Sequence, residues 1–169
     1  MTAESSEDVS TPQVKIPKPK RMTLPSRKTA LLIVDMQNDF ARYRGKFFVG
    51  ESVTSIISMI RKVLTKARDA GVHVIYTQDW HRKDDAEFKK WPIHCIEESW
   101  GTEIIDELKP LEKESRVRKS TYDPWHETEL RDLIRKLDVE TLVVVGTVSN
   151  IFVLHAISGA VLRGYRCVV

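Results

Sequence analysis

Three side chains able to hold a metal ion fall within one polar stretch, "DWHRKDDAEFKKWPIHC": Asp79 and His81 flank Trp80, and His94 follows after a loop. One carboxylate oxygen and two imidazole nitrogens suit Zn2+, Fe2+ or Mn2+, with positions left open for water or substrate. The competing reading is a pair of histidines that only hydrogen-bond a loop, and spacing alone does not separate the two. Cys95 follows His94 directly; neighbouring side chains rarely point at one ion, so it is not counted as a fourth ligand.

Other reactive positions stand where apolar runs end. Asp35 follows "TALLIV" directly in "VDMQNDF", where burial and a nearby cation can tune a carboxylate toward general-base work. A turn or capping aspartate is the alternative. Lys119 ends "SRVRK" ahead of Tyr122 and Asp123. A lone lysine usually keeps its ammonium in water, and only a place beside Asp35 would hold it charged to stabilise developing negative charge. In "GTVSNIFVLHAI", Gly146 to Ile157, an apolar strand closes and a helix opens. The first amides of such a helix lack partners and suit an oxyanion, and a thiol placed there would be activated. Phe152 stands there instead, can do neither, and by itself reads as a core aromatic.

The elements that must position these residues alternate in type. "TALLIVD" is a short continuous apolar run of the kind buried on both faces of a parallel sheet. Residues Ser52 to Ala70 repeat apolar side chains at helical spacing, open on Ser52 as a capping residue and stop at Gly71. "VHVIYTQ" predicts a second strand, "TEIIDELK" a short helix and "SRVRKS" a third strand. Glu127 to Leu137 predicts another long helix, "TLVVVG" a fourth strand, "NIFVLHAISGAVLRG" a helix ending at Gly164, and "YRCVV" a fifth strand. Strands alternating with helices imply an α/β fold: three layers, αβα, around a mainly parallel central sheet with right-handed crossovers. Ligands in such sheets bind at the carboxyl ends of the strands, where Asp35, Asp79, Lys119 and the Gly146 turn all fall. The chain stops within the fifth apolar run, before any covering helix, so truncation at the C-terminus is expected.

The 169 residues fit one domain, residues 29–169, preceded by a Ser-, Pro-, Glu- and Lys-rich flexible tail over residues 1–28. Apolar residues at 41% and charged residues at 30% are ordinary for a globular protein. A net charge of +3 with basic residues scattered among acids gives no nucleic-acid footprint. No apolar run is long enough to span a membrane, and the polar start "MTAESSEDVS" lacks a signal peptide's apolar core. Cys95 and Cys167 form no regular pattern, so a reducing, cytoplasmic setting is the default.

Together these motifs resemble the isochorismatase-like cysteine hydrolase superfamily, and within it the nicotinamidases, from Thr29 onward. "LLIVDMQNDF" is similar to the family's opening strand with its catalytic aspartate, and "TQDWH" with "WPIHC" to the nicotinamidase metal segment. "VRKSTYD" resembles the lysine strand and "GTVSNIFVLHAI" the turn that carries the nucleophile. The resemblance implies Asp35 as the base and Lys119 as its support. It implies Asp79, His81 and His94 as ligands of a divalent metal, zinc foremost, that anchors the ring nitrogen of a pyridine carboxamide. Phe40 would line the ring pocket, and a cis peptide between Thr147 and Val148 would expose oxyanion-binding amides. A small aromatic amide and a homo-oligomer are the partners expected. The family's nucleophilic cysteine aligns with Phe152, so a thioester route has no nucleophile here.

Three functions are therefore open. One is a nicotinamidase-like amide hydrolase impaired by Phe152. The second is a non-catalytic binder or structural member. The third is an isochorismatase-type vinyl-ether hydrolase that needs no cysteine, which the metal-like trio and the bulk of Phe152 fit poorly.

Overall fold

The computed structural model describes residues 21–169. Its first strand, β1 (Thr29–Val34), is buried at every residue. Side chains alternate across a strand, so Ala30, Leu32 and Val34 enter one core while Leu31 and Ile33 enter another. Adding β2 (His73–Asp79), β3 (Ser115–Lys119), β4 (Thr141–Gly146) and β5 (Arg166–Val168) completes a five-stranded sheet in the order β3-β2-β1-β4-β5. Every pairing is parallel. The expected α/β architecture is the one observed.

Parallel neighbours need crossovers, and these provide the cover. After β1 come a single helical turn, α1 (Asn38–Ala41), and the long α2 (Ser52–Asp69). α3 (Leu130–Lys136) joins β3 to β4, and α4 (Leu154–Leu162) joins β4 to β5. Val53, Ile57, Ile60 and Leu64 of α2 pack on the Leu31 and Ile33 face. Leu130 and Ile134 of α3 and Ala156 and Ala160 of α4 pack on the opposite one. Among the described residues no helix is long and apolar enough to cross a membrane.

Four local expectations are corrected. "TEIIDELK" is not a helix: it holds 3-10 turns at Trp100–Thr102 and Asp106–Leu108, with Ile104 bridged to Gln37. Its amide groups go to tertiary partners instead, as Ile105 N–H donates to Met36 O at 3.0 Å. Ser52 does not cap α2, because Glu51 is already helical and the turn starts at Gly50, whose carbonyl accepts Val53 N–H. The helix expected from Glu127 begins at Leu130, since Glu127 has φ +51°. The helix expected from Asn150 opens as a π-type turn over Ser149–Val153, where Val153 N–H reaches Val148 O at 3.1 Å.

Of the expected N-terminal tail, residues 1–20 lie outside the described residues. Ser26–Lys28 form a 3-10 turn into β1, and Lys28 Nζ sits 2.6 Å from Asp138.

Candidate active site and metal centre

Strand register decides which side chains meet. Val34 pairs with both Thr77 and Gly146, and Asp79 pairs with Lys119, so the carboxyl ends of β1 to β4 lie level. Asp35 leaves β1 in the left-handed conformation, φ +49°, which is unfavourable for a non-glycine residue by roughly 1–2 kcal/mol. Its carboxylate is fully buried. Oδ1 accepts the Thr77 hydroxyl at 2.6 Å and Oδ2 faces Lys119 Nζ at 2.8 Å. Both contacts are to side chains, from β2 and from β3 beyond it, while the Asp35 backbone makes a tight turn in which its carbonyl accepts Gln37 N–H at 2.8 Å.

Lys119 is equally buried and bridges two carboxylates, donating to Asp79 Oδ1 as well as facing Asp35. Burial alone would lower the lysine's pKa, but Asp35 and Asp79 outweigh it and hold the ammonium above its ordinary value. Burial is also the larger influence on Asp35; against the pull of Lys119 it pushes the carboxyl up to about 6. For Asp79, Lys119 together with His81 and His94 overcomes burial and holds the carboxyl below the usual range.

Asp79 therefore belongs to two clusters. Its Oδ2 lies 3.7 Å from His81 Nε2 and 3.4 Å from His94 Nε2. A carbonyl or carboxylate oxygen can only accept, so His81 Nδ1–H donates to Asp85 Oδ2 at 3.0 Å and His94 Nδ1–H to Pro92 O at 2.6 Å. That leaves both Nε2 atoms facing the carboxylate, and His81 Nε2 is buried without a hydrogen-bond partner among the described residues. Ligand atoms around a tetrahedral zinc stand roughly 3.3–3.5 Å apart. The trio, with its ligand atoms all within 4.8 Å of one another, fits a divalent cation on spacing and on donor type. Cys95 stays outside it; its Sγ faces Gly101 O at 3.7 Å, and burial pushes the thiol's pKa up.

Phe152 is buried at the entrance of α4, its ring 5.2 Å from that of Phe40, which in turn lies tilted at 5.3 Å from His94. These rings, with Phe47, Trp91 and Tyr122, line a cavity of about 30 Å³ that also opens on Asp79, His81 and His94. Such a volume holds about two waters and no six-membered ring. Beside it, Gly146 takes φ +137°, and a Cβ there would run into Val34 O. The Thr147–Val148 peptide is cis, and Thr147 N–H donates to Val34 O at 3.1 Å.

All the residues singled out from the sequence thus meet at one end of the sheet. Sequence reasoning missed Thr77, Asp85 and the bond between Lys119 and Asp79. A hydroxyl within the apolar "VIYT" and an aspartate four residues after His81 were the only available signals.

A five-stranded parallel sheet covered by helices on both faces is the α/β architecture this chain shares with the isochorismatase-like hydrolase of Alkaliphilus metalliredigens, with which it superposes at a TM-score of 0.79 and 29% identity over 83% of this chain and 78% of that one. The chain belongs to the isochorismatase family: the Isochorismatase domain matches residues 29–169. Among curated relatives, the ureidoacrylate amidohydrolase RutB of Agrobacterium fabrum is 29% identical over 80% of this chain and 71% of its own length. The N-carbamoylsarcosine amidase of Thermoplasma acidophilum superposes with a TM-score of 0.77 at 31% identity, covering 83% of this chain and 78% of that one. The nicotinamidase PncA of Bacillus subtilis does so with a TM-score of 0.78 at 26% identity, covering 83% and 82%. The last three relatives are amidases acting on C–N bonds.

Proposed function

We propose that this chain carries the metal-holding and proton-transfer frame of a nicotinamidase-like amide hydrolase, and that Phe152 removes its covalent step. Support comes from one continuous row of side chains: the Asp79, His81 and His94 cluster is joined through Lys119 to Asp35, and the Phe152 ring stands 4.7 Å from Lys119 Nζ.

Asp79, His81 and His94 would hold a divalent ion, zinc in preference to Fe2+ or Mn2+, which when bound anchors the ring nitrogen of a pyridine carboxamide. Asp35, with its carboxyl raised toward neutrality, is matched to take a proton from a nucleophile and return it to the departing nitrogen. Lys119 keeps charge balance beside it. The turn that carries the cis Thr147–Val148 peptide stands at the cavity through Val148, and its backbone amides would suit the oxygen of a tetrahedral intermediate. A phenyl ring supplies no electron pair, and it occupies the room a substrate ring would need.

The test compares zinc-loaded protein with its Phe152→Cys variant for ammonia release from nicotinamide. The expected result is turnover in the variant and several orders of magnitude less in the parent, the usual effect of a missing nucleophile. Equal turnover in both would show that Phe152 is no block. A folded, zinc-loaded variant without turnover would overturn the nicotinamide assignment.

A further inference from the structure

We infer that Asp39 positions His94 for metal binding, acting through the backbone of Cys95; this rests on the metal-binding reading above. Asp39 lies on α1 and is 4% exposed, yet among the described residues it forms no salt bridge. Backbone amides satisfy it instead: Oδ2 accepts Cys95 N–H at 2.7 Å and Oδ1 accepts Lys46 N–H at 2.9 Å. Hydrogen bonds from amides to an ionised acceptor are about twice as strong as neutral ones.

Cys95 is where such a hold is needed. It takes the left-handed conformation, φ +42°, immediately after His94, and its carbonyl accepts His81 N–H at 3.0 Å. One residue, Cys95, therefore ties the two imidazole ligands together: its amide group is shared with His94, its carbonyl holds His81, and Asp39 anchors it at the amide. The same aspartate fixes the strap that carries Phe47, since Asp39 O accepts Phe47 N–H at 3.1 Å and the Phe47 ring packs edge-on against His94 at 5.0 Å. Space for the carboxylate comes from Gly101, where a Cβ would overlap it. Cys95 contributes its backbone here, and its thiol takes no part.

Zinc affinity, measured by competition with a chromophoric chelator, separates positioning from simple support of the fold. Asp39→Asn leaves one acceptor oxygen and turns an NH2 group toward the other amide; Gly101→Ala displaces the carboxylate. Both should bind zinc tenfold or more weakly, on the order seen when groups that orient a metal ligand are lost. Co2+-loaded samples should show altered absorption bands for the same reason. His94→Ala should abolish binding. If the parent itself shows no zinc affinity, the metal-binding reading fails and this inference with it. If the parent binds zinc and Gly101→Ala, folded by circular dichroism, binds as tightly, the positioning role of Asp39 is overturned whether or not Asp39→Asn folds. A lowered melting temperature of the metal-free variants with unchanged zinc affinity would overturn it equally.

Discussion

The ammonium of Lys119 lies 4.7 Å from the centre of the Phe152 ring. A desolvated cation on an aromatic face is stabilised by about 2 kcal/mol, so the ring is a neighbour that the charge network can tolerate. The same ring lines the cavity beside Phe40.

Lys119 is the one cation between Asp35 and Asp79 among the described residues, and all three are buried. Lys119→Met would leave two carboxylates without compensation, and breaking such a buried pair costs about 3–5 kcal/mol. Urea denaturation of the metal-free protein should read that loss, and adding Asp35→Asn to Lys119→Met should recover part of it. A Lys119→Met variant as stable as the parent would show that the pairing holds nothing together.

The pH dependence of the metal-free protein carries the signature of Asp35. Its folded pKa is raised to about 6 from an ordinary 3.8, so between those values the native state holds a proton that the unfolded chain has lost. That contribution is fully present below about pH 4 and is lost as pH rises through about 6. For His81, burial is the largest single influence and lowers the pKa, but Asp79 and Asp85 together outweigh it and raise it, so it acts with the same sign above its ordinary value of 6.5. Asp79, Asp85, Glu107 and Glu114 are all lowered, so their contribution has the opposite sign and fades as pH falls below the ordinary carboxylate range. Thermal melts in a metal chelator should show stability falling from about pH 4.5 to 6.5, with a flatter profile for Asp35→Asn. Identical slopes in the two proteins would contradict a raised Asp35.

Gly146 ends β4 at φ +137° against Val34 O. Gly146→Ala adds a side chain in an unfavourable conformation and against the central strand, for a loss of at least about 1 kcal/mol. The midpoint of urea unfolding should fall accordingly. An unchanged midpoint would mean that the β1–β4 contact can open without cost.

Much of this protein was determined by the sequence alone, because it depends on local periodicity. Continuous apolar runs such as Thr29–Val34 and Thr141–Gly146 have to be buried on both faces, and the helical spacing of Val53, Ile57, Ile60 and Leu64 has to cover one of them. That much yields the parallel sheet and puts Asp35, Asp79, Lys119 and the Gly146 turn at strand ends. Local spacing could not say that "TEIIDELK" would surrender its helical bonds to Met36 and Gln37, because those partners lie far away in sequence. It also could not say that Lys119 would sit between two carboxylates, that Thr77 would hold Asp35, or that Asp85 would orient His81. The Lys119 and Thr77 contacts depend on the lateral register of β1, β2 and β3, which is set only when the whole sheet is packed, and the Asp85 contact on how the loop after β2 folds back. The smallness of the cavity behind Phe152 was decided in the same way, by rings from four separate segments closing on one point.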